Sequence, residues 1–110
     1  PKNSPIKTLS SATLGAAAAL GLADEIGSIT VGKRADIALV DTTGPEWVPR
    51  SPDPVQQLVW ASDGRSVRHV VASGRVVVRD GEPTLTDRSS LTAEAQLRHD
   101  RLVRDAGLGR

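Results

Sequence analysis

The sequence predicts a small α/β fold whose elements run helix, loop, strand, helix, hairpin, helix. Three observations predict it. Apolar residues recur at helical spacing through residues 5–20 and, more sparsely, through residues 89–104. A short apolar run, Ile37-Ala38-Leu39-Val40, lies between Asp36 and Asp41 and has the length of a strand. Two valine-rich runs flank Ser73-Gly74-Arg75, the pattern of a β-hairpin.

The first helix opens on Pro5, which suits a first helical position because its missing N–H would have no partner there. Leu9, Ala12 or Thr13, Ala16 and Leu20 share one face. Ala16-Ala17-Ala18-Ala19 has the highest helix propensity available, and its small side chains let the helix lie close to a neighbour. Gly21 is the expected cap. Gly27 and Gly32 mark residues 24–35 as a loop with a turn at Gly32-Lys33. The apolar run at residues 37–40 reads as a strand buried on both faces.

Gly44, Pro45, Pro49 and Pro52 make residues 42–53 an irregular connection. Asp53 as N-cap and Pro54 at the first position then start a short helix ending near Ala61. Val55, Leu58 and Val59 form its apolar side. Gly74 supplies the hairpin turn, and Gly81 and Pro83 end the hairpin. Ser90 is the expected cap of the last helix, with Glu94 in its first turn. Leu91, Ala95, Leu102 and the stem of Arg98 form one side, and Arg101 and Arg104 suit the negative end of the dipole. Gly107-Leu108-Gly109 reads as a frayed tail.

A chain of 110 residues holds one small domain, and 38% of it is hydrophobic. Phe, Tyr and Met are absent, so Trp47 and Trp60 are the only aromatic residues. Ala, Val and Leu alone make a thin core, so the chain is expected to pack against more protein. An opening on Pro1 instead of Met fits that expectation. Lys and Arg number 14 against 13 Asp and Glu, with both signs interspersed. Such a balance gives no footprint for nucleic acid or an anionic membrane, and neither is an expected partner. No apolar run reaches the length of a spanning helix and no signal peptide is visible, so the cytoplasm is the default setting. Absence of Cys excludes disulfides and thiolate metal ligands.

Several residues carry a chemical signal beside an ordinary reading. Residues 27–33 match the spacing of a phosphate-binding loop, but Arg34 stands where Ser or Thr would hold magnesium, and a plain turn is the better reading. His69 on the hairpin and His99 beside Asp100 and Arg101 read as packing and solvated residues, because a metal needs three or four converging ligands. Asp36 reads as a carboxylate that accepts backbone N–H bonds from the preceding turn. Asp24-Glu25 and Asp80 with Glu82 are paired acids of the kind glycosidases use, yet they fall in turns. Arg98, Arg101 and Arg104 are interleaved with acids and read as a solvated face. Trp47 and Trp60 read as anchors that cover apolar surface, with substrate stacking by Trp60 the lesser reading.

Residues 11–41 read SATLGAAAALGLADEIGSITVGKRADIALVD. The Ala12-Thr13 and Gly15-Ala16 steps, Ala19-Leu20-Gly21-Leu22, Ile26-Gly27-Ser28-Ile29 and Gly32-Lys33-Arg34-Ala35-Asp36 follow one another ahead of a strand. This order is similar to a signature near the C-terminus of amidohydrolase-superfamily enzymes. Downstream, Asp53-Pro54-Val55-Gln56-Gln57-Leu58-Val59 and residues 67–81 resemble the deaminase and chlorohydrolase subgroup, which acts on nucleobase-like, adenosine-like or triazine rings.

The resemblance implies an α/β fragment of a metal-dependent hydrolase built on a (β/α)₈ barrel. Residues 1–28 would be the final barrel helix region. Residues 29–87 would form part of a small β-sandwich, with the short helix and the hairpin. Residues 88–110 would be a C-terminal helix and tail packing back on the body. The implied activity is hydrolysis of carbon–nitrogen bonds other than peptide bonds, with a divalent metal, zinc, lowering the pKa of a bound water. The implied ligands are an early His-x-His pair, further His on middle strands and an Asp on the eighth strand. None of these motifs occurs here, where His69 and His99 are the only histidines. No catalytic, cofactor-binding or metal-binding residue is therefore expected in this chain, which should be inactive alone. Its implied partners are the rest of the barrel and further copies of the enzyme. The residues by themselves also allow a non-catalytic α/β module used for association.

Overall fold

A computed structural model describes residues 4–108 of the chain. Ser4 caps the first helix, its side chain accepting from the Lys7 N–H. The helix then runs through α1 (Pro5–Ser10), a π-helical turn (Ser11–Gly15) and α2 (Ala16–Ala19), with helical backbone angles at each junction. The π-turn coincides with side-chain competition for the backbone. Ser11 Oγ donates to Lys7 O at 2.9 Å and Thr13 Oγ1 to Leu9 O at 2.8 Å, bonds of the type that bend helices. The helix ends as expected at Gly21: Gly21 N–H donates to Ala18 O and Leu22 N–H to Ala17 O, the paired bonds of a Schellman ending.

Four strands form one antiparallel sheet in the order β1 (Ile37–Val40), β2 (Val67–Ala72), β3 (Arg75–Arg79) and β4 (Glu82–Pro83). Ile37 pairs with Val71 and Leu39 with His69, and the register shifts between Leu39 and Val40. The β2–β3 turn puts both Ser73 and Gly74 at positive φ, which matches a type I′ turn. A second such turn follows at Asp80-Gly81, again with both residues at positive φ. The expectation that Gly81 and Pro83 end the hairpin is thus corrected: the chain turns back, and Glu82 and Pro83 pair with Arg79 and Val78. The expected double burial of β1 is corrected too. Its ends are half-buried, but Ala38 and Leu39 are exposed, because no second layer covers that strand among the described residues.

Between β1 and β2 lie a 3₁₀ turn (Pro45–Trp47) and α3 (Pro54–Ala61). Asp53 caps α3 as expected, accepting from the N–H groups of Val55 and Gln56. Val55, Leu58 and Val59 are half-buried, and α3 packs against α1. The last helix, α4 (Arg88–Asp105), starts earlier than Ser90. Asp87 is its cap and accepts from Ser90 N–H at 2.7 Å. Its far end is closed, not frayed: Gly107 N–H donates to Arg104 O and Leu108 N–H to Val103 O. Gly109 lies outside the described residues. Every α4 residue except Val103 is exposed, and the helix is tied to the sheet by Arg88, which bonds Glu82 and the Gly81 carbonyl.

Very little is enclosed. Ala17 and Trp47 are the buried hydrophobic residues of the described chain, and Ser66 is the buried polar one. The radius of gyration is 18.4 Å, against about 13 Å for a compact domain of this length.

Candidate functional site

A groove lies between the first helix and the sheet. It encloses about 700 Å³ and is lined by Leu9, Ala16 and Leu20 from the helix, Ile37 and Val40 from β1, and Leu58 from α3, among others. Its walls are overwhelmingly aliphatic, and its polar lining includes Thr13, Ser28 and Asp36. The loop at residues 22–36 forms its rim. Gly27 brings that loop onto the helix: a Cβ there would lie 2.8 Å from Ala17 Cβ and 2.9 Å from Leu14 Cα. Lys33 fastens the same loop, donating to the carbonyls of Ala23 and Ile26. Its ammonium is thus occupied by backbone, and a strand follows it, so residues 27–33 form a turn and not a phosphate cradle.

Asp36 accepts from Ser73 N–H at 2.6 Å. The expected bond to the preceding turn is replaced by one that spans the sheet edge and holds the hairpin tip. Gly74 N–H donates to Ala35 O at 3.0 Å and reinforces it. Trp47 is the anchor expected: Nε1 donates to Ser66 Oγ at 2.9 Å, and Ser66 Oγ donates to Glu46 Oε1 at 2.7 Å. The Ser66 hydroxyl holds the Glu46 carboxyl below the ordinary range. No local spacing announces this chain, because its members lie 19 and 20 positions apart; only the burial of a lone Trp hints at a partner. Trp60 is 61% exposed on α3.

The ionisable residues singled out in the sequence do not converge. His69 Nδ1 accepts from Asp80 N–H at 3.3 Å, and its Nε2 lies 3.7 Å from Asp80 Oδ1. Arg68 approaches the same carboxylate. Glu25 pairs with Arg34, and Glu82 with Arg88. Thr43 donates to Asp41 through its hydroxyl and its N–H, and these bonds hold the Asp41 carboxyl below the ordinary range. His99 is exposed on α4. Among the described residues, no three His, Cys, Asp or Glu side chains come together as metal ligands. A zinc site needs three or four such donors, so the donor set here does not fit one. No helix of the described residues is long and apolar enough to cross a membrane.

Comparison with known proteins places this arrangement. The family model described as the amidohydrolase family matches residues 1–77. A 5-methylthioadenosine/S-adenosylhomocysteine deaminase of Halobacterium salinarum is 40% identical over 96 residues, covering 87% of this chain and 22% of that protein. An adenosine deaminase from Xanthomonas campestris, solved with bound zinc, superposes with a TM-score of 0.81 at 38% identity, over 89% of this chain and 22% of the other. Atrazine chlorohydrolase from Arthrobacter aurescens, solved in complex with zinc, superposes with a TM-score of 0.76 at 31% identity, over 86% of this chain and 20% of the other. The chain therefore spans about a fifth of the length of the relatives it matches. With the family model covering more than half of its residues, the chain belongs to the amidohydrolase family.

Proposed function

We propose that the chain is the C-terminal part of a metal-dependent hydrolase of the deaminase and chlorohydrolase type, which acts on carbon–nitrogen or similar substituents of a nucleobase-like or triazine ring. The observation that carries this reading is the similarity to a zinc-bound adenosine deaminase over 89% of this chain but 22% of that enzyme. The metal ligands and the catalytic groups belong, in this reading, to the part of the enzyme outside these residues. The present chain supplies structure: the first helix closes the barrel, and the aliphatic groove receives the body of the enzyme. Its partners are that body and further copies of the enzyme. Its setting is the cytoplasm, where a chain without Cys needs no oxidising compartment.

The test is the zinc content and turnover of the 110-residue chain alone. Zinc well below about one equivalent per chain, with no deamination of adenosine-type nucleosides and no dechlorination of triazines, is the expected result. Stoichiometric zinc, or turnover above background, overturns the reading.

A further inference from the structure

Asp63-Gly64 and Asp80-Gly81 are the two Asp-Gly steps of the chain. An Asp followed by Gly is prone to rearrange, because no side chain on the next residue shields its amide nitrogen. The Gly nitrogen attacks the carboxyl carbon of the Asp side chain. A C–N bond forms, a C–O bond breaks, and the amide proton leaves with the hydroxyl as water. The cyclic imide that results takes up water again. Opening at the former side-chain carbonyl restores Asp. Opening at the main-chain carbonyl leaves isoaspartate, whose chain runs through the β-carbon. Water leaves and returns, and no other reactant is needed.

Sequence makes the two steps equivalent; structure does not. Gly81 N–H donates to Arg68 O at 2.8 Å, and Asp80 N–H donates to His69 Nδ1 at 3.3 Å. Both residues sit in the turn between the paired strands β3 and β4, so attack there must first break the turn. Gly64 lies outside every helix and strand, between α3 and β2. Its N–H reaches Ser62 Oγ at 3.5 Å, beyond the range of a good hydrogen bond. A Cβ on Gly64 would meet nothing within 4 Å. The restraint on this step lies on the acid. Arg65 donates to the Asp63 carboxylate through its N–H at 3.1 Å and through Nε at 2.6 Å. Attack needs that carboxyl protonated and free, and the clamp keeps it charged and engaged. The pair is exposed, so it slows the reaction without preventing it.

We infer that Asp63-Gly64 is a site of spontaneous aspartate isomerisation in this chain, that Arg65 restrains it, and that the fold protects Asp80-Gly81. The product reaches a buried group. Isoaspartate lengthens the main chain by a methylene just ahead of Ser66. It thereby strains the Val67 N–H bond to Gly64 O and loosens the Ser66 hydroxyl that holds Trp47 Nε1.

Ageing the full 110-residue chain in neutral buffer tests this, with isoaspartate at each step measured by peptide mass spectrometry. In the folded chain it should accumulate at Asp63 roughly fivefold faster than at Asp80, the effect of one amide hydrogen bond less that of an exposed clamp. In urea the two rates should be equal. Arg65→Ala should raise the Asp63 rate roughly threefold and leave Asp80 unchanged. If Arg65→Ala does not fold, the parent's two rates, folded against unfolded, still decide. With Trp60→Phe leaving Trp47 as the single reporter, emission should move to the red as the Asp63 product builds up. Equal rates in the folded chain, or Asp80 ahead, overturn the assignment. A difference that persists in urea overturns the protection by the fold, an unchanged rate in Arg65→Ala overturns the restraint, and an unshifted emission overturns the link to Ser66.

Discussion

Gly27 holds a φ of 88°, and a Cβ there would collide with the side chain of Ala17 and the backbone of Leu14. The close approach follows from sequence: only a helix with Ala at this face admits another backbone so near, and only Gly on the loop can use the space. Gly74 provides an internal control. Its φ is also positive, at 77°, but a Cβ would meet nothing within 4 Å. Gly27→Ala therefore suffers both conformational strain and overlap, a loss of roughly 3 kcal/mol. Gly74→Ala suffers the first alone, about 1 kcal/mol. Urea unfolding followed by tryptophan fluorescence measures both, and equal shifts of midpoint would show that the loop does not press on the helix. Residues of this kind are only half legible in a sequence. A Gly marks a turn at once, but which Gly faces a neighbour depends on a contact about ten residues away. The same holds for Asp36: its role as a carboxylate bonding backbone N–H groups is readable, whereas its partner, Ser73, lies 37 positions on.

At the scale of elements, α4 depends most on its own ends, since its sides are solvated. Ser90, through its hydroxyl and its N–H, holds the Asp87 carboxyl below the ordinary range. A depressed folded-state pKa means that the charged cap favours the helix at any pH above the unfolded carboxylate range. That contribution fades as pH falls through the lowered value and is gone once Asp87 is protonated. Asp87→Asn should keep the cap while removing the titration, because Asn caps as well as Asp. Hydrogen exchange of the first-turn amides, followed against pH, should show protection lost on acidification in the parent and retained in Asp87→Asn. The same loss in both would exclude Asp87 as the titrating cap. The first helix, β1, α3 and the β2–β3 hairpin are legible because each carries a local signature: an N-terminal Pro, an alanine run, valine-rich runs on both sides of Gly74. The second turn was equally legible in principle, since Asp80-Gly81 is a strong type I′ dipeptide. Gly81 and Pro83 together suggest a stop, but Pro is tolerated on an edge strand such as β4. What α4 meets is not legible in sequence, because a helix says which face is apolar and not what that face meets.

The whole molecule is more open than its size requires. Its surface is 8725 Å², about half as much again as a compact chain of 11.6 kDa exposes. That excess is well above the roughly 800 Å² that a standard interface buries on one partner. The openness has definite places. One part of it lies at the aliphatic groove and the loop beside it, where Leu20, Ile29 and Val31 are 72%, 85% and 103% exposed, and another along α4, where Leu91, Leu97 and Leu102 are exposed. A chain without Phe, Tyr or Met cannot close such a gap by turning large side chains inward. The surface must meet either water or another part of the enzyme. Alone in solution, the chain should bind the dye ANS, scatter X-rays as an expanded particle and melt over a broad range. A separately produced body of the same enzyme, added to it, should extinguish the ANS signal and sharpen the transition. A chain that melts cooperatively alone, with no dye binding, would instead be a self-sufficient association module. The groove would then have collapsed on itself, and the two-layer packing that the hydrolase reading requires would have no vacancy to fill.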